Sequence, residues 1–248
     1  MKTKYEIATE AGELRQQLGY DNYSRVDIFN LVNSIEPLTL VFYSMGERIS
    51  GMCLKSIDDV LIAINSSMTN GRQRFTMAHE LYHYFYDDMD EIICLFDIGE
   101  QNPIERNANT FASYFLAPPV ALSKLIKEIK QNKPTLQVSD VVKIEQFFGL
   151  SRQATLVRLI DEGELSQSDF ANMQTGIIST ALSLGYDDSL YRPLPISKSN
   201  MTYGRYIKLA EELLGRSLIS DGKYEELLLD AFRSDIVYGI EEGGELID

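Results

Sequence analysis

Apolar positions along the chain follow two rhythms, and each predicts a different kind of element. Residues 5–18 (YEIATEAGELRQQL) and 24–34 (SRVDIFNLVNS) carry them at helical spacing, the second with Ser24 as a candidate N-cap. Three short runs then read as strands: LTLVFY from Leu38, RISGMCL from Arg48 and DVLIAI from Asp59, with turn residues such as Gly46 and Asp58-Asp59 between them. Short strands joined by tight turns predict a small, mostly antiparallel sheet. NSSMTNG reads as a loop ending at Gly71. From Arg72 the helical rhythm returns in RQRFTMAHELYHYFYDD, where Phe75, Ala78, Tyr82 and Phe85 form a stripe. PIERNANTFASYFLA opens on Pro103, a residue favoured in a first helical turn. Its apolar face is Ala108, Phe111, Ala112 and Phe115, and Pro118-Pro119 predicts its end. Residues 138–160 read as helix, tight turn at Gly149, and helix. Further helical segments fall at 168–183, 203–214 and 222–237, and the Pro- and Ser-rich YDDSLYRPLPISKSN is a candidate boundary among them.

Composition narrows the setting. The 44% hydrophobic content suffices for a packed core, and no run approaches the roughly 18 apolar residues of a membrane span. The N-terminal stretch has basic residues but no apolar h-region, which argues against a secretory signal. With Cys53 and Cys94 as its two cysteines, the chain reads as one with buried thiols in a reducing compartment, and a cytoplasmic location is expected. The net charge of −14 is concentrated late: residues 161–248 carry 17 acidic and 7 basic side chains. Such a segment repels a polyanion, so nucleic acid is not an expected partner, and a solvated acidic surface is the simpler reading.

The chemistry sits in HELYH. Residues four apart on a helix lie one above the other, so His79 and His83, the two histidines of the chain, can present imidazoles to one ion. Zinc suits nitrogen and oxygen donors, and in catalytic sites it takes three protein ligands and keeps one position open to water. Glu80, next to the first histidine, is placed to act as general base on that water. A third ligand must be an acid. Asp87, Asp88, Asp90, Glu91, Asp97, Glu100 and Glu105 are all within reach in sequence. Glu105 lies on the apolar face of its helix, where a carboxylate is costly without a partner. It could equally be an N-terminal glutamate favouring the helix dipole, and spacing alone does not separate it from the other acids.

The paired blocks RQRFTMAHELYH and ERNANTFASYFLAP resemble the ImmA/IrrE-type metallopeptidases, which share HELGH followed by E-x-x-A-N-x-F-A and a Leu-Met-Pro-like end. The strand VLIAINSS is similar too, and the likeness covers about residues 30–160. It implies Glu105 as third metal ligand and zinc as cofactor. It also implies a bacterial or phage protein that cleaves or inactivates a helix-turn-helix repressor or antitoxin. Two departures stand out: Tyr82 replaces the glycine of HELGH, and Leu116-Ala117-Pro118 replaces Leu-Met-Pro.

The predicted fold class is therefore α+β, a small sheet beside a helical metallopeptidase core in residues 1–165, followed by an acidic helical subdomain in 166–248. Asp87 and Asn109 are candidates to hold the ligands' second ring nitrogens; each is also readable as a solvated side chain near a helix end, and for Asp87 that is the favoured reading. Arg72, Arg74 and several tyrosines are candidate donors to the transition state. Residues 138–160 resemble a helix-turn-helix, but offer DNA just Arg152 and Arg158, with Asp161, Glu162 and Glu164 close behind. The expected function is zinc-dependent cleavage of a partner protein, with no membrane association. Its rivals are a metal-bearing protein that sequesters a regulator without cutting it, and a DNA-binding regulator.

Overall fold

The computed structural model describes residues 2–87, 91–95, 102–131 and 133–239, with backbone alone for 91–95. Two helices, α1 (Lys4–Gln17) and α2 (Ile28–Asn33), precede strands β1 (Leu38–Tyr43), β2 (Ile49–Lys55) and β3 (Val60–Asn65). Then come helix α3 (Asn70–Tyr86), strand β4 (Glu91–Leu95), and helices α4 (Pro103–Leu116), α5 (Pro119–Lys130), α6 (Val138–Phe148) and α7 (Arg152–Asp161). The last third supplies α8 (Gln167–Met173), α9 (Ile177–Ser183), β5 (Met201–Gly204), α10 (Arg205–Gly215), α11 (Asp221–Asp230) and α12 (Ser234–Tyr238). The fold is α+β, as the pattern predicts.

The sheet runs β4-β2-β3-β1-β5, with β1 and β3 parallel and the other pairs antiparallel. Alternation sends Leu38, Leu40, Phe42, Cys53, Ile62 and Ile64 to one face, where all are buried. Register aligns Leu40 with Ile62 and Ile62 with Cys53, so this face is continuous. Helix α3 lies across it. Because α3 is covered by the sheet on one side and by α4 and α2 on others, every residue from Thr76 to His83 is buried. The expected stripe therefore holds at Ala78 and Tyr82, whereas Phe85 is 37% exposed where the helix leaves the core. Both strands missed in sequence are short. β5 has four residues, and β4 lies in an acid-interrupted stretch.

Other departures have local causes. Helix α2 begins at Ile28 with Asp27 at the N-cap, because Ser24 is engaged elsewhere. Asp21 accepts from the Ser24 and Tyr23 amides and the Ser24 hydroxyl, and the Ser24 carbonyl accepts from Arg15. Pro119 does not merely end α4; it opens α5, where a missing N–H costs nothing. The 168–183 segment breaks at Gly176, which is left-handed at φ 64°. The 222–237 segment breaks at Phe232, with φ 59°.

The fully buried Arg15 ties α1 to the end of α4 by donating to the carbonyls of Phe115 (2.5 Å), Asp21 (2.7 Å) and Ser24 (2.7 Å). The helix–turn–helix of α6 and α7 packs in the core with its arginines turned inward. Arg152 pairs with Glu145. Arg158 lies over the Tyr114 ring at 4.2 Å and donates to Ser113 Oγ at 3.0 Å. The two cations that a DNA contact would use are thus 3% exposed and committed to protein partners.

Candidate metal centre

Two helices build the site, and each presents its groups for a local reason. Asn102 caps α4 by accepting from the Ile104 amide at 2.9 Å, and Pro103 fits the first turn, which sets Glu105 in that turn facing α3. On α3, His79 and His83 stack one turn apart with ring centroids 4.9 Å from each other. Their Nε2 atoms are 3.1 Å apart. Glu105 closes the triangle, with Oε2 3.1 Å from His79 Nε2 and Oε1 3.5 Å from His83 Nε2. Among the described residues, His79, His83 and Glu105 are the group of donors that could hold a metal ion, all ligand atoms lying within 4.8 Å of one another.

The far sides of the rings are engaged as well. Asn109 Oδ1 is 2.9 Å from His79 Nδ1, and Asp87 Oδ2 is 3.0 Å from His83 Nδ1. Both oxygens accept, so each Nδ1 carries the proton and each Nε2 lone pair points into the triangle. Asp87 is thereby placed as a partner of His83, with its side chain 6% exposed, and the solvated reading of it does not hold. Of the other acids, Asp88, Asp90, Asp97 and Glu100 and the side chain of Glu91 lie outside the described residues, as does the side chain of Cys94.

Electrostatics at the triangle follow from burial and from the closeness of its three groups. Burial pushes His79 down, but its hydrogen bond to Glu105 and the charges of Glu80 and Glu105 outweigh this and hold it above the ordinary histidine range. His83 is lowered by burial and by its neighbour His79. Burial pushes Glu105 up, while the hydrogen bond and charge of His79 bring it below its usual value. The donor set fits zinc. Its Nε2 separation is close to the ~3.3 Å edge of a tetrahedron built on bonds of ~2.0–2.1 Å.

Glu80 is fully buried beside this group, on the flank of α3 that meets β2. The contact is close enough to require glycine. A Cβ at Gly51 would lie 2.8 Å from Glu80 Oε1 and 2.7 Å from Thr76 Cγ2. Sequence reasoning missed Gly51, since nothing in its neighbours announces a close approach. Among the candidate donors, Arg74 is withdrawn from the site. It is 4% exposed, its guanidinium donates to Val26 O at 2.6 Å and Gly149 O at 3.2 Å, and burial lowers its pKa to about 10. Tyr86 donates to Glu10 O at 3.1 Å, and Tyr82 stacks on Tyr86 with centroids 5.6 Å apart.

Residues 46–159, which contain the whole triangle, match the peptidase family model described as the IrrE N-terminal-like domain. This stretch is similar to the ImmA/IrrE-type family. A segment of 104 residues is 29% identical to the radiation response metalloprotease IrrE of Deinococcus deserti. The match covers 42% of this chain and 36% of that protein, so the chain spans about a third of the length of the curated relative it matches. That relative is a metalloprotease by name, and the donor set at His79, His83 and Glu105 is of the kind that could hold a metal ion. Among the described residues, no helix is long and apolar enough to cross a membrane.

Proposed function

We propose that the chain is a zinc-dependent endopeptidase that cuts a partner protein, with a helix-turn-helix repressor or antitoxin as the substrate class. The observation that carries this reading is the convergence of two Nε2 lone pairs and the Glu105 carboxylate beside a fully buried Glu80. His79, His83 and Glu105 hold the ion, and Asn109 and Asp87 fix the two imidazoles. Zinc bound there supplies Lewis-acid polarisation of the scissile carbonyl and acidifies water. Glu80 takes the proton of the attacking water and passes it to the leaving amine.

Metal content is the direct test. Purified wild-type protein is expected to retain about one zinc per chain after exhaustive dialysis, and Glu105→Ala far less. Zinc retained equally by both would move the third ligand elsewhere, and a wild type that takes up no metal would remove the reading.

Protons compete for the same lone pairs. A metal binds the deprotonated imidazole, and His79 sits above the ordinary histidine range in the metal-free protein. Affinity is therefore expected to fall as pH is lowered, with the loss beginning above ~6.5, and loading at neutral pH to release protons. Calorimetry in two buffers of different ionisation enthalpy measures this. An affinity unchanged between about pH 8 and about pH 6 would contradict it.

Gly51 offers a check on Glu80. Gly51→Ala must displace Thr76 or the Glu80 carboxylate, since no Cβ tolerates contacts of 2.7 and 2.8 Å. The expected result is normal metal content with kcat reduced by up to ~10²-fold, the scale of a misplacement near 1 Å. Unchanged kcat would mean that Glu80 need not stay where it is.

A further inference from the structure

The end of α3 is finished by a residue that belongs to neither metal-bearing helix. Lys55, the last residue of β2, sends its ammonium to the carbonyls of His83, at 3.1 Å, and Asp87. The His83 carbonyl lies in the last turn of α3, where helix carbonyls lack backbone partners. Continuing the helix would give that carbonyl to the Asp87 amide and carry the Asp87 side chain on around the helix. Instead Asp87 is extended, at φ −116° and ψ 140°, and its carboxylate turns back onto His83 Nδ1 at 3.0 Å.

We propose that Lys55 is a positioning residue for the metal centre: by holding the His83 and Asp87 carbonyls it fixes Asp87 in the extended conformation that orients His83. The proposal rests on the metallopeptidase reading above and adds a residue to its machinery. Three features support it. The two contacted carbonyls are those of a proposed ligand and of the acid that holds this ligand's ring. A cation is favoured at a helix C-terminus by the macrodipole. Lys55 is also anchored from outside the helix, paired with Val60 at the end of the β2–β3 ladder, so its stem starts from a fixed point. The positioning chain runs Lys55 to the Asp87 backbone, the Asp87 carboxylate to His83 Nδ1–H, and His83 Nε2 to the ion.

Outer partners of ligating histidines typically change metal affinity 10- to 100-fold. Lys55→Met keeps the aliphatic stem and removes the ammonium. It is expected to weaken zinc binding by about tenfold, measured by competition with a chromophoric chelator, with the metal-free circular dichroism spectrum unchanged. Lys55→Arg should recover most of the affinity. The discriminating measurement is the double variant. If Lys55 acts through Asp87, Lys55→Met should cost nothing further in an Asp87→Ala background. Wild-type affinity in Lys55→Met, or an equal loss in both backgrounds, would overturn the proposal while leaving the metal site intact. A wild type that binds no zinc would remove both.

Discussion

Glu80→Gln is expected to lower peptide-bond hydrolysis by about 10²–10⁴-fold while leaving zinc content and partner binding at wild-type levels. The substitution is isosteric, so the side chain still fits the space beside Gly51. What goes is the ability to accept a proton from water and return it to the departing amine. The triangle is untouched, because Glu80 is not among the converging donors. Stability should hold or rise, since a buried carboxylate is replaced by a neutral amide at a fully enclosed position. The assay is cleavage of a co-expressed helix-turn-helix regulator, followed by mass, beside capture of the same regulator by the variant. Cleavage lost with capture retained supports the peptidase reading. A variant that still relieves repression as the wild type does would favour sequestration without cutting, and Glu80 would then have no catalytic part.

Much of this centre is legible in the sequence because its parts are local. The i, i+4 spacing of His79 and His83 becomes a shared helix face as soon as α3 forms, and α4 carries Glu105 and Asn109 together for the same reason. The three strands from Leu38 to Asn65 are equally local, each a short β-rich run between turn residues. What escaped depends on tertiary placement. Asp87 is a candidate partner of His83 in sequence but reads more simply as a solvated helix-end acid, and its extended backbone decides between the two. Gly51 and Lys55 matter through contacts with α3, more than 20 residues away in the chain. β5 is recognisable through its pairing with β1, where Leu40 meets Tyr203 and Val41 meets Thr202. The arginines of residues 138–160 look available for DNA in sequence, and burial against Glu145 and Tyr114 is a property of the packed α6–α7 pair.

That pair carries the largest expected stability effect. Arg152 and Glu145 form an ion pair with side chains 2% and 0% exposed. Arg152 also donates to Met173 O at 2.7 Å, and Tyr191 donates its hydroxyl to Glu145 Oε2 at 2.7 Å, so one network joins α6, α7, the end of α8 and the segment at Tyr191. Removing one partner strands the other charge without solvent, and Arg152→Met is expected to cost about 3–5 kcal/mol in urea unfolding. Burial already raises the Glu145 pKa even with the arginine in place, and losing that cation raises it further. A carboxyl raised in the folded state penalises folding once pH has passed its folded value, and that penalty vanishes below the unfolded value near 4.3. The stability gap between variant and wild type should therefore narrow as pH falls. Arg152→Met combined with Glu145→Leu removes both charges and should cost less than the sum of the single changes, leaving chiefly the Met173 carbonyl and the Tyr191 hydroxyl to find partners. Additive single changes, or a gap that does not narrow in acid, would mean that this buried pair is not held together by its charges.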